Sequence, residues 1–321
     1  MGMFRSKLIL ILIIASLASN GQTPMNYLLL KNNTPYSYLL DLYPTTGFAY
    51  SFRKLSSTYA GSCVRVRRSS DNTESDIGFV NNYLDTATLK TFVSTNNGFI
   101  TKWYDQSGGG YDVLQSTATA QPSLVTSGVI NYTNGKICAQ MNGSTMYLKS
   151  TASFSSVATS ISFSSVMFDK RSTGVSGTYN YQWAIGTPNT TGNKAFISAA
   201  QNGFQDWSGN STLFFGNGYA SSSNPRIVTP ANIFTDGSQN IWIGGLNSTS
   251  NFLKLNGSNV STSVNNTGNV ASAGGTVALG SDNSAGNFSN EYFQEVVMWQ
   301  SNQSANQTVI LNQINSFYKV Y

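Results

Sequence analysis

Histidine does not occur anywhere in these 321 residues. That absence excludes Ser-His-Asp and Cys-His nucleophilic arrangements, together with any zinc or iron centre ligated by imidazole. Cysteine is almost absent too: Cys63 and Cys138 are the only two, too few without histidine for a structural zinc site. Each lies in a strand-like run, so a single disulfide between them is left open. Charge is scarce, at 10% of residues, while aromatics reach 12%. A disordered chain would show the reverse balance. The formal charge of +5 falls to +3 without Arg5 and Lys7, too weak and dispersed to point to nucleic acid. No dense Asp-x-Asp run announces calcium. No glycine-rich loop opens a helix to cradle phosphate, since Ser107 to Gly110 runs on into strand-like sequence. No cofactor and no metal is expected.

What is present begins with an export signal. Arg5 and Lys7 form a basic start, Leu8 to Ala15 an apolar core, and Ser16 to Ala18 a small-residue cleavage region. Residues 1–21 are therefore read as a signal peptide. The apolar run falls short of the ~20 residues of a membrane span, so no stable span is expected after cleavage. The protein is expected to be secreted or held at a cell surface, with a virion as a further setting. Residues 22–48, punctuated by Pro35 and Pro44, read as an N-terminal extension, and residues 49–321 as one domain.

Within that domain the text is almost entirely β. Strand-like runs include Ile100–Tyr104, Ile137–Met141, Ser160–Phe168, Tyr181–Ile185, Asn240–Gly244, Phe252–Leu255, Val277–Gly280 and Glu291–Trp299. Asn-Gly, Ser-Gly, Asp-Gly and Gly-Gly turn signals separate them. The alternation Ile161, Phe163, Ser165 against Ser162, Ser164, Val166 predicts a strand with one buried face. Thr86 to Val93 is read as a short helix. Ser304 to Phe317 is read as a second, capped by Ser304, with Val309, Ile310, Ile314 and Phe317 as its apolar stripe. Arg65, Arg67 and Arg68 form the one basic cluster, read as partners for Asp71, Glu74 or Asp76, with an anion-binding patch as the other reading.

Two polar cassettes carry more than pattern. One runs from Ala49 to Leu55 and through Val64 to Asn72 as far as Phe79; the other is Thr101 to Gly110, followed by Asp112 and Gln115. With Ile137 to Gly143, Gly280 to Ser284 and Tyr292 to Trp299, they resemble the catalytic domain of fungal-type α-L-arabinofuranosidase B. They also look like bacterial and phage modules of the same fold that carry no chemistry. The resemblance implies an all-β, two-sheet antiparallel jelly-roll sandwich, concanavalin A-like or of laminin-G type, closed by a short C-terminal helix.

By the same resemblance, Asp282 stands where that family places its general acid/base. The family's nucleophilic glutamate has no counterpart between Phe204 and Asn224, where Asp206 is the one acidic residue, and its adjacent cysteine pair is replaced near Tyr181 to Ala184. Paired-carboxylate hydrolysis needs two acids, roughly 5–9.5 Å apart. The leading expectation is accordingly a non-catalytic glycan-binding or adhesion module. An arabinofuranosidase-like hydrolase using Asp282, and a structural virion or surface-assembly protein, are the alternatives. The expected partner is a glycan or cell-surface polysaccharide, with homo-oligomer or larger assembly left open. Sugar sites pair an aromatic face with a few polar groups, which singles out Trp183, Asn202, Gln205, Asp206, Trp207, Tyr219 and Asp282. Asp105 and Glu295 are read as structural: the first closing a turn with Ser107, the second ordering a late strand.

Overall fold

The computed structural model describes residues 37–155, 160–170, 180–186, 197–201, 213–217, 226–230, 233, 237–246, 251–260, 263–265, 274–282 and 284–321. A compact unit spans Leu39–Tyr321. It is mostly β: among the described residues, twenty strands join in one hydrogen-bonded antiparallel network, and two further hairpins stand apart. Three α-helices accompany them: α1 (Leu39–Leu42), α2 (Thr86–Val93) and α3 (Gln307–Tyr318).

The strand Glu291–Trp299 organises the centre. It pairs with Phe48–Ser51 on one side and Ile161–Asp169 on the other, and Ile161–Asp169 pairs in turn with Gln239–Leu246. Side chains alternate across these strands, and each face meets its own apolar layer. Phe48, Tyr50, Phe163, Trp242, Val296 and Met298 enter the main core. Ala49, Val166, Ile241, Ile243, Val297 and Trp299 face a second layer shared with Ile310, Leu311, Ile314 and Tyr318 of α3.

This double coverage corrects two sequence expectations. Residues 161–167 have no solvent face: Ser162, Ser164 and Ser165 are buried along with the apolar residues, because the strand is central in its sheet and covered on both sides. In α3, Val309 is exposed and the buried stripe is Ile310, Leu311, Ile314 and Tyr318, an i, i+1, i+4, i+8 pattern that follows helical spacing better than the predicted set. The helix starts three residues later than Ser304, with Asn306 at its N-cap and no side-chain cap. Helix α2 falls on the predicted residues, capped by Asp85 accepting from Thr88 N–H at 3.0 Å.

Between the sheet and α3 lies a buried ionic knot. The Arg53 guanidinium donates to both Glu295 oxygens, at 2.6 and 2.8 Å, and stands over the rings of Phe317 and Tyr318. Ser51 and Tyr318 hydroxyls donate to the same carboxylate at 2.8 and 3.2 Å. Glu295 thus ties three elements together, as its structural reading implied. Cys63 and Cys138 are both buried free thiols, so the disulfide left open by the sequence is not made. In the basic cluster, Arg65 takes Asp76 and Arg68 takes Asp71, while Arg67 turns to Gln121, Asn72 and the Phe99 ring.

Candidate functional site

Asp282 sits in the loop that joins the strands Gly275–Leu279 and Glu291–Trp299. The loop is pinned at its base, where Ser289 N–H donates to Gly280 O at 2.8 Å and Gly280 N–H donates to Gln182 O at 2.9 Å. Gly280 adopts φ +81°, and an added Cβ would lie 3.0 Å from the Met141 methyl. The sharp exit from the strand therefore needs glycine there.

Beyond that point the Asp282 carboxylate organises its own loop. Its Oδ1 accepts from the N–H groups of Ser284 and Gly286, at 2.8 and 2.9 Å, and its Oδ2 accepts from Asn287 Nδ2 at 2.7 Å. The Asp282 N–H donates to Gly286 O, which closes the ring. This is the local side-chain bonding by which aspartate holds a turn. The residue is only 4% exposed. Oδ2, with one bond from the described residues, is the oxygen that retains acceptor capacity. Among the described residues, no lysine or arginine pairs with it.

A second acid lies beyond the base of the loop. Glu291 is fully buried, and its carboxylate accepts from Ser289 Oγ at 2.7 Å and Gln182 Nε2 at 3.4 Å. Around the loop, Asn142 caps a neighbouring turn through three backbone N–H groups, and the half-buried rings of Tyr147 and Phe288 stand 6.0 Å apart. Sequence reasoning missed Asn287 and Glu291. The signal for Asn287 was its spacing five residues after Asp282 in a Ser-, Asn- and Gly-rich run, which is the composition of a side-chain-closed loop.

Trp183, singled out as a sugar platform, belongs to the core. It is 0% exposed and packs edge-on to Phe48 and Phe163, with ring centres 5.5 and 5.7 Å away. Its strand pairs with Gly275–Leu279, which places it near the loop but on the inward side. Asn202, Gln205, Asp206, Trp207 and Tyr219 lie outside the described residues. The second cassette behaves as read. Asp105 accepts from the N–H groups of Ala49, Ser107 and Tyr111 and from Ser107 Oγ, while Trp103 stacks on Phe52 in the core. Among the described residues no helix is long and apolar enough to cross a membrane.

Residues 42–166 match the family model of α-L-arabinofuranosidase B, catalytic. The match covers less than half of the chain and contains both cassettes. Among solved structures, the chain is similar to an arabinofuranosidase complexed with arabinofuranosyl-α-1,2-xylobiose, at 19% identity and a TM-score of 0.52. It is similar, also at 19% identity and with a TM-score of 0.50, to a glutamate-to-glutamine mutant of a GH54 α-L-arabinofuranosidase soaked with 4-nitrophenyl α-L-arabinofuranoside. In both cases the alignment covers 84% of this chain and 62% of the other, so the chain spans under two thirds of those proteins' length. At this identity the likeness shows a shared fold. No curated sequence matches the chain. These comparisons correct the leading sequence expectation of a non-catalytic binding or adhesion module, because the family model that the chain matches is that of a catalytic domain.

Proposed function

We propose that the protein is an exported glycoside hydrolase of the α-L-arabinofuranosidase type, acting on arabinofuranosyl groups of a glycan. The observation that carries this reading is the catalytic-domain match over residues 42–166. The finer architecture that goes with it is a two-sheet jelly-roll sandwich, with Asp282 at one end. In this reading Asp282 is the general acid/base: a proton carried on Oδ2 passes to the glycosidic oxygen as the bond to the anomeric carbon breaks. The loop supports the role by fixing the carboxylate with three donors from within five residues, so that little reorganisation is needed at the reacting atom.

The second carboxylate must come from elsewhere. Glu295 is held by Arg53, and Glu291 by Ser289 and Gln182. Asp206, the one acidic residue between Phe204 and Asn224, is the proposed partner. A separation of about 5–5.5 Å from Asp282 would give a covalent glycosyl intermediate and retention, and one of about 6.5–9.5 Å a water-mediated inversion. The test is release of 4-nitrophenol from 4-nitrophenyl α-L-arabinofuranoside. The parent should turn over, and Asp282→Asn should lose about 10²- to 10⁴-fold in kcat. Asp206→Ala should be inactive, and if Asp206 is the nucleophile, added azide should restore turnover as the glycosyl azide. A parent protein with no activity above buffer on this and on arabinoxylan refutes the proposal.

A further inference from the structure

At the other end of the central strand lies an open cavity of about 530 Å³ between α1, the loop Ser56–Gly61 and the turn Gln106–Gly108. Its volume is within the roughly 300–1,000 Å³ of small-molecule sites. Thr45 Oγ1, on its wall, donates to Met298 O, next to the end of Glu291–Trp299, whereas the Asp282 loop joins that strand at its start. Nine residues of strand, at ~3.3 Å each, put the two places on the order of 25 Å apart. One small sugar cannot occupy both.

The walls of the cavity are rigid. Gln106 spends its side chain on Leu55 N–H and on the carbonyls of Ser51 and Arg53. Ser107 Oγ bonds Gly47 O and Asp105. Tyr59 is fixed by its hydroxyl on Ser62 O at 2.8 Å, by the edge of Phe79, and by Gly61, where an added Cβ would fall 2.5 Å from the Tyr59 oxygen. Against this frame two polar groups keep capacity. Asp41 Oδ1 accepts from Ser56 Oγ and Ser57 N–H, at 3.0 Å each, and the Ser57 side chain also bonds the carboxylate, which is exposed and has lone pairs to spare. Thr58 Oγ1 shares a single 3.0 Å bond with Ser56 Oγ.

The lining also says what does not fit. Asp41 is the one charged residue among it, which disfavours anions. The Lys54 ammonium, bonded to Ser57 O at 3.2 Å, stands beside the same turn and offsets the attraction of Asp41 for cations. Hydroxyls on three sides disfavour a purely apolar guest. A ring face, a carboxylate oxygen and a hydroxyl are what a neutral sugar needs: one apolar face to stack and a pair of adjacent hydroxyls to hold.

We propose that this cavity is a second, non-reacting sugar site, in which a neutral mono- or oligosaccharide stacks on Tyr59 and places a diol between the Asp41 carboxylate and Thr58 Oγ1. It would tether a polymeric glycan remote from Asp282. The site does not depend on whether Asp282 is catalytic, and its test keeps the two apart. Calorimetric titrations use the full chain carrying Asp282→Asn, so that no probe is consumed, with L-arabinose, xylotetraose and maltotetraose as probes. At least one probe should bind; Asp41→Asn should weaken it about tenfold or more with an unchanged melting temperature, and Tyr59→Ala should weaken it about tenfold or more while still folded. Should Tyr59→Ala fail to fold, Thr58→Val, at an exposed position, takes its place. Binding of none of the three probes, or a dissociation constant unmoved by Asp41→Asn, overturns the proposal. Hydrolysis by the parent, assayed separately, has no bearing on whether this cavity holds a sugar.

Discussion

Glu295→Met tests the ionic knot under α3, and its cost can be worked from the contacts. The side chains of Arg53 and Glu295 are 2% and 0% exposed, and the pair is bidentate. Removing the carboxylate takes the bidentate partner from a buried guanidinium set among Phe317, Tyr318 and Ser51. Breaking one side of a buried pair typically costs about 3–5 kcal/mol. For a domain of this size that is a fall in melting temperature on the order of 10 °C. Arg53→Met should cost a similar amount, because it leaves the carboxylate only the hydroxyls of Ser51 and Tyr318. The double variant should lose far less than the sum, since a buried pair exchanged for apolar side chains of like volume is often near neutral. Urea unfolding followed by tryptophan fluorescence reads all four proteins, because Trp103, Trp183, Trp242 and Trp299 are buried. Arg65→Ala is the internal control. Its pair with Asp76 is 40% and 39% exposed and should be worth about 0–1 kcal/mol. Single losses at Arg53 and Glu295 no larger than this control, or strict additivity in the double variant, would refute the reasoning.

Asp105 gives a pH dependence of definite sign. Burial pushes its carboxyl above the ordinary value of 3.8, against hydrogen bonds from Ser107, Ala49 and Tyr111 that pull it down. The folded protein thus holds the Asp105 proton more tightly than the unfolded chain, so this stability is full below the ordinary value and lost as pH rises through the folded one. Asp76 runs the other way: the Arg65 hydrogen bond holds it low, and its contribution is lost as pH falls. Asp105→Asn should cost about 1–3 kcal/mol through donors left unpaired. The stability difference between parent and variant should shrink as pH rises above the ordinary value of 3.8; a difference that widens instead contradicts the assignment. The thiols make a second check. Burial raises Cys138 to about 11 and pushes Cys63 well above its ordinary value, so Ellman's reagent should find neither in the folded protein and both after denaturation without reductant. A protein that releases no thiol on denaturation would instead contain the disulfide.

The parts of the fold legible in the sequence are those decided locally. Asp105 with Ser107, the helix over Thr86–Val93, and the arginine cluster with Asp71 and Asp76 among its expected partners act through hydrogen bonds to near neighbours or across a tight hairpin, so residue type and spacing suffice. What stayed hidden depends on layers that meet only after folding. Ser162 and Ser164 look solvent-facing until α3, some 150 residues later, covers the side of the sheet they share with Val166. Trp183 looks like a platform because a tryptophan in a polar strand is the same letter whether its ring points outward or in, and the pleat here turns it toward Phe163.

The Asp282 loop shows why the binding and hydrolytic readings were hard to separate from sequence. Among the described residues, every donor that fixes its carboxylate belongs to residues 284–287, so the motif that builds a sound turn and the motif that presents a fixed acid are one string of letters. Turn chemistry and acid catalysis differ only in what faces Oδ2 from outside the loop. In the proposed reading that second group is Asp206, from a segment distant in sequence, which no local pattern around Asp282 can announce. The decision between the readings therefore came from the likeness of residues 42–166, far from Asp282, to a catalytic domain. In the proposed chemistry Asp206 is the second acid; Glu295 is held in the knot under α3 and Glu291 at the base of the loop.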